Sequence, residues 1–196
     1  MTKRAESKKR QEARRWAERQ YIKHRRHNMV YAEPGEHDFV IVLDNLKPSF
    51  NIGKIFRSAD AFGASAIHLI GTEYFEVKPA KGSFKWIPAH FHNSFNECYE
   101  MLDRDGYTFF VMEPTAGKNL YQTELPPKSA FIFGHEEYGI SFVPAAFNGI
   151  KSVKIPQFGR VESLNVSIAA SIAMYEYIRQ NHRSTPRLDL AVSETT

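Results

Sequence analysis

Three short stretches of this chain carry residues able to bind or transfer a chemical group, and each follows an apolar run. The first is Asn51-Ile52-Gly53-Lys54-Ile55-Phe56-Arg57, where Asn51, Lys54 and Arg57 recur at spacing i, i+3 and are expected to line one face of a helix. An arginine fork there suits a phosphate. The alternative is an Asn51 that caps the helix and an Arg57 paired with Asp60. The second stretch is Gly134-His135-Glu136-Glu137-Tyr138-Gly139, directly after Ala130 to Phe133. Its two glycines permit close backbone approach to a ligand, and Glu136 is placed for work at a sheet edge; the plain alternative is an ordinary strand-to-helix turn. The third runs from Ile155 through Pro156, Gln157 and Gly159 to Ser163, Leu164, Asn165 and Ser167. Pro156 ends a strand, and Ser163 is expected near the N-cap of a long apolar helix. Backbone N–H groups freed at such a helix start make a ligand site at the mouth of a sheet.

The elements that must position these loops alternate between strand and helix. Strands are expected at Phe39 to Leu43, Ala66 to Ile70, Tyr107 to Met112, Ala130 to Phe133 and Val153 to Ile155. Helices are expected at Ile52 to Phe62, with Gly63 as terminator, at Ser94 to Arg104, and from Leu164 to about Asn181. This is an α/β pattern, a mostly parallel sheet with helices on both faces. In the Ser94 to Arg104 helix, Phe95, Cys98, Tyr99 and Leu102 share the apolar side, so Cys98 is expected to be buried.

Charge divides the chain. Residues 1–28 hold eleven basic and three acidic residues, a net +8; the rest holds fifteen and nineteen, a net −4. The first 35 residues therefore read as a basic arm, helical over about 2–27, with Ala13, Trp16, Ala17, Gln20, Tyr21 and His24 on one narrow side that could dock. Pro34-Gly35 marks the boundary. Such an arm attracts a polyanion, nucleic acid foremost, the bland alternative being a solvated tail. The body is expected at 36–183 and a polar tail at 184–196.

Several chemistries lack their residues. No G-x-G-x-x-G follows a strand, and there is no P-loop and no G-x-S-x-G elbow. No metal site is expected: His135-Glu136 lacks a second His at helical spacing, and His90 and His92 have no third ligand in view on a possible strand. One cysteine excludes an internal disulfide, and no apolar run approaches membrane length, so a cytoplasmic location is the expectation.

Taken together, and in this order over about residues 38–180, the three stretches resemble the motifs of the SpoU (TrmH) branch of SPOUT RNA methyltransferases. Asn51…Gly53…Arg57…Ala61-Phe62-Gly63 is similar to the first motif, Gly134-x-Glu136-x-x-Gly139 to the second, and Ile155-Pro156…Gly159…Ser163-Leu164-Asn165-Val166-Ser167 to the third. Gln157 departs from the Met usual after Ile-Pro. The arm and Lys85-Trp86 are also similar to the compact tRNA ribose methyltransferases of the branch.

The resemblance implies a SPOUT-type fold with a C-terminal trefoil knot, a homodimer, and S-adenosyl-L-methionine as cofactor. It implies methylation of a ribose 2′-hydroxyl in RNA, with a tRNA guanosine first; 23S rRNA, a base target, or a non-catalytic RNA-binding role are the alternatives. The lack of an additional N-terminal RNA-binding domain favours tRNA. Cofactor contacts are implied for Phe133, Gly134, His135, Glu136, Gly139, Ile155, Gln157, Ser163, Leu164 and Asn165. Catalytic roles are implied for Arg57, Asn51, Glu136, Ser163 and Asn165. Arg57 matches the arginine assigned to activating the hydroxyl. Because guanidinium hardly ever gives up a proton, the milder role is to orient a substrate phosphate and stabilise oxyanion charge. RNA phosphates are expected to meet Arg10, Arg14, Arg15, Arg19, Lys54 and Arg57.

Overall fold

The structure, a computed structural model, describes residues 3–47 and 49–182. The tail expected at 184–196 lies outside the described residues. Among those residues, no helix is long and apolar enough to cross a membrane.

Seven strands form one sheet. They are β1 (Val40–Asp44), β2 (Ala66–Ile70), β3 (Ala89–His92), β4 (Thr108–Met112), β5 (Lys118–Asn119), β6 (Ser129–Phe133) and β7 (Ile150–Lys154). Their order is β3-β2-β1-β6-β4-β7-β5, and every pairing is parallel. Among the described residues, four α-helices accompany the sheet: α1 (Lys3–Tyr31), α2 (Phe50–Ala61), α3 (Phe95–Arg104) and α4 (Val166–Asn181).

The central strands are near-continuous apolar runs because both faces are covered. Side chains alternate across β1, β2 and β6. Ile41, Leu43, Ile67, Leu69, Phe131 and Phe133 face one core, shared with α2 and α4. Val40, Val42, Ala66, Ile70, Ala130 and Ile132 face a second core, closed by Phe95, Cys98 and Leu102 of α3. The expected burial of Cys98 is met.

The helical arm extends further than its sequence reading, to Tyr31, and docks by its second half only. Tyr21 is buried against Phe75 and Phe84. Asn28 donates from Nδ2 to the carbonyls of Phe84 and Ile87 at 2.7 and 2.6 Å. Trp16, expected on the docking side, is 51% exposed. Arg10, Arg14, Arg15 and Arg19 are all exposed, and Arg14 pairs with Glu18 one turn on, at 3.0 Å.

Candidate functional site

The C-terminal ends of β1, β6 and β7 deliver the three loops to one edge of the sheet, joined there by the exit of β4, the usual ligand edge of an open α/β fold. A cavity of about 210 Å³ opens there. It is lined by Phe133, Gly134, His135, Glu136 and Gly139 from the second loop, and by Ile155, Gln157, Ser163 and Leu164 from the third. Nine of the ten cofactor residues expected from the sequence thus share one cavity. The tenth, Asn165, is not in its lining.

Asn165 has a different task. It is the N-cap of α4: its Oδ1 accepts from the backbone N–H of Ser167 at 3.0 Å and from the Ser167 hydroxyl at 2.6 Å. Ser163 is therefore not the cap. Asn165 is still extended (φ −54°, ψ 133°), so the helix cannot begin earlier, and Ser163 is left on the cavity wall.

Asn51 joins all three loops. It sits in the first turn of α2, 1% exposed, and does not cap that helix; Ser49 holds the cap position without a side-chain bond. Asn51 Nδ2 donates to Glu136 Oε1 at 2.7 Å, and Asn51 Oδ1 accepts from Asn165 Nδ2 at 3.4 Å. The expected single face of Asn51, Lys54 and Arg57 does not form. Asn51 is buried, whereas Lys54 and Arg57 are exposed. Each step of three residues falls about 60° short of a full turn, so the row has swung about 120° by Arg57. Lys54 Nζ lies 4.8 Å from the centre of the Phe50 ring. Arg57 makes no ion pair among the described residues, so its alternative pairing with Asp60 is absent.

The second loop does not lead into a helix. It closes on itself: His135 and Gly139 exchange backbone hydrogen bonds of 2.8 and 2.9 Å, and Gly139 takes φ +70°. A Cβ on Gly134 would overlap the Gly139 carbonyl and the Ile140 nitrogen. Gly134 is thus required for the loop to fold onto itself, a closer demand than ligand approach. Asp44, fully buried at the end of β1, accepts from the backbone N–H and hydroxyl of Ser141 and ties down the far end of this loop.

Sequence reading missed Met112, Glu113, Pro114, Ile140, Val166 and Ala169, which also line the cavity. The first three end β4 and begin its exit, where the only glycine, Gly117, comes five residues after the strand and so does not mark a site loop. Phe133, Ile155, Leu164, Val166 and Ala169 give the walls an apolar surface, and among the polar lining residues Gln157 has its Oε1 buried without a hydrogen-bond partner.

On the α3 face, the structure supplies what the histidine spacing concealed. His68 of β2 joins His92 and Cys98, and the ligating atoms of the three lie within 4.8 Å of one another. Burial, followed by the neighbouring imidazoles, holds the His68 pKa well below its usual value. Burial also lowers His90 and His92. The Cys98 thiol is pushed up to about 12, by burial first and by the Asp44 carboxylate second.

An all-parallel α/β domain with a ligand cavity beside looped strand ends, cradled by an asparagine-linked trio of loops, defines a small-molecule-binding enzyme fold. Residues 38–175 match the model of the SpoU rRNA Methylase family, and the chain belongs to that family. It is 29% identical over 161 residues to a tRNA (guanosine(18)-2′-O)-methyltransferase of Thermus thermophilus, covering 78% of this chain and 82% of the relative. It is also 29% identical over 174 residues to the 23S rRNA (guanosine-2′-O-)-methyltransferase RlmB of Xanthomonas axonopodis pv. citri, covering 86% of this chain and 67% of the relative. An S-adenosylmethionine-bound rRNA methyltransferase from Sinorhizobium meliloti superposes with a TM-score of 0.67 at 27% identity. That alignment covers 80% of this chain but only 61% of the other.

Proposed function

We propose that this protein is an S-adenosyl-L-methionine-dependent RNA 2′-O-ribose methyltransferase whose substrate is a guanosine in tRNA. One observation carries the reading: a single buried side chain, Asn51, links Glu136 on the cavity wall to Asn165 at the start of α4. The second and third motif loops thus line one cavity, whose residues match those expected to hold the cofactor, and Asn51 ties the first loop to both. The Thermus relative, similar over most of both chains, supports tRNA guanosine.

The residues present fit the cofactor. Phe133, Ile155, Leu164, Val166 and Ala169 offer apolar surface to an adenosine, and the unpartnered Gln157 Oε1 offers an acceptor to an amino group. The cavity falls below the roughly 300 Å³ at the low end of small-molecule sites, which favours a folded ligand or one that reaches out of the mouth. Bound there, S-adenosylmethionine supplies an already electrophilic methyl on its sulfonium. What remains for the protein is to hold a ribose hydroxyl in line and to stabilise the charge that grows as the hydroxyl proton leaves. Arg57, exposed and unpaired, is free to meet the substrate phosphate and that charge, the proton passing to phosphate or water. Asn51 positions Glu136, and Glu136 and Ser163 shape the cavity mouth.

Arg10, Arg14, Arg15 and Arg19, with Lys54, form the RNA-facing charge of an arm (1–35) attached to the catalytic body (36–183), followed by a tail (184–196). Membership of the family carries a further expectation, that the last segment of that body threads a trefoil knot. A homodimer is supported by the exposed apolar stripe Ile168, Ile172 and Tyr175 on α4, which a second copy would cover. The cytoplasm is the compartment. Transcripts of tRNA and of 23S rRNA incubated with methyl-labelled cofactor test the substrate: label is expected in tRNA, and label confined to rRNA would overturn that choice.

A further inference from the structure

We propose that His68, His92 and Cys98 form a binding site for one thiophilic divalent cation, zinc being the best match. The site is separate from the cavity that holds the motif loops, and it does not depend on the methyltransferase reading.

The ligands come from three adjoining elements. His68 is the middle residue of β2, where alternation turns it toward α3 along with Ala66 and Ile70. His92 ends β3, on the same face, next to Ile70 in the parallel register. Cys98 lies in the first turns of α3, fully buried above them. His68 Nδ1 and His92 Nε2 face each other at 3.0 Å, with ring planes 8° apart. Two imidazole nitrogens 3.0 Å apart, with a thiol sulfur within 4.8 Å of both, bring together the N/N/S donor set that zinc takes.

The nitrogen pair needs little change. Zinc bonds of about 2.0–2.1 Å to nitrogen set tetrahedral nitrogens about 3.3 Å apart, a few tenths of an ångström wider than the present His68–His92 separation. The thiol must lose its proton to solvent as the metal–sulfur bond forms, and the cation's charge drives that loss. The surroundings also ask for an explanation. His68 is buried beside a core of Val, Ile, Ala, Leu and Phe, and the exposed His90 stacks on it at 4.8 Å, so three imidazoles gather at the rim of that core. A hydrogen bond between two neutral rings satisfies only one nitrogen of each. β3 is the edge strand and His92 is only partly buried, so a cation can enter from that edge and leave a fourth position to water or to His90.

The test uses the full chain without an affinity tag, reduced, stripped with chelator and titrated with Co(II) and then Zn(II). One equivalent of Co(II) should bind with a sulfur-to-cobalt charge-transfer absorption, and Zn(II) should displace it. Zn(II) should also raise the melting temperature by a few degrees. Cys98→Ser should abolish the charge-transfer band, and His92→Ala should weaken binding at least tenfold; Cys98→Ala, an apolar replacement, guards against a serine that fails to pack. His182→Ala should behave as wild type. Wild-type protein that binds no stoichiometric Co(II), or binds it without the charge-transfer band, would overturn the site. Equal Co(II) affinity in wild type, Cys98→Ala and His92→Ala would do the same.

Discussion

Asn51 and Glu136 stand 85 residues apart in sequence and meet through a 2.7 Å hydrogen bond, the Asn51 amide buried and the Glu136 carboxylate at the cavity mouth. Because Asn51 also accepts from Asn165, its loss should free two loops at once. Asn51→Ala is expected to lower kcat/KM on the order of 100-fold through misplacement, at a stability cost of ~1 kcal/mol. Asn51→Asp should be worse for activity, since it sets a carboxylate against Glu136. Methyl-transfer kinetics with a parallel denaturation curve separate the two effects; near-wild-type turnover in Asn51→Ala would remove the residue from the site.

Arg57 is expected to act late, on charge that grows in the transition state. Arg57→Ala should lower kcat by about 10²–10³, with RNA affinity within about threefold of wild type. Turnover and RNA binding measured side by side decide this. An affinity loss as large as the rate loss would show that Arg57 only binds RNA.

The docked half of α1 shows how the arm should be cut. Tyr21 and Asn28 are buried, so removing all 28 residues would open the Phe75–Phe84 core. Deleting residues 1–19 spares them and removes Arg10, Arg14, Arg15 and Arg19. RNA affinity should fall, and the slope of log K against log salt should flatten by about three if four phosphates are lost. An unchanged affinity and slope would make the arm a solubility segment.

Gln157 gives a prediction with opposite signs in two states. Its buried Oε1 has no partner in the free protein, and an unsatisfied acceptor costs about 1–3 kcal/mol. Gln157→Met should therefore raise the melting temperature of the free protein. It should weaken S-adenosylmethionine binding by up to about tenfold, because a ligand donor would lose its acceptor. Calorimetry and a thermal melt read both; tighter cofactor binding in the Met variant would show that the oxygen has no role in the pocket.

Gly134→Ala should be among the most damaging single changes, since the added methyl meets the backbone of Gly139 and Ile140. A loss of about 1–3 kcal/mol in stability is expected, together with loss of cofactor binding. Full cofactor affinity in this variant would mean that the closed loop can relax without consequence.

Much of this architecture was legible in the chain because long apolar runs and their breakers are local signals. All five expected strands and the three body helices exist, with ends displaced by a few residues. β3 was only partly legible, as a possible strand on which His90 and His92 alternate, and β5, two polar residues at the other sheet edge, has no pattern to announce it. The start of α4 shifted because Asn165 outcompetes Ser163 for the cap, and such a contest turns on backbone angles that residue type does not fix. Asn51 read as a plausible cap; its bonds to Glu136 and Asn165 span 85 and 114 residues and are visible only after folding. His68 was hidden inside the apolar run Ala66 to Ile70, where one polar residue breaks no pattern.

The most direct measurement is mass spectrometry of nucleosides from tRNA incubated with the full chain and S-adenosylmethionine bearing a deuterated methyl. The expected result is the heavy methyl on the ribose oxygen of guanosine, lost in Asn51→Ala and Arg57→Ala. A heavy methyl on a base, or RNA that takes up no label from folded protein, would contradict the assignment to ribose methylation.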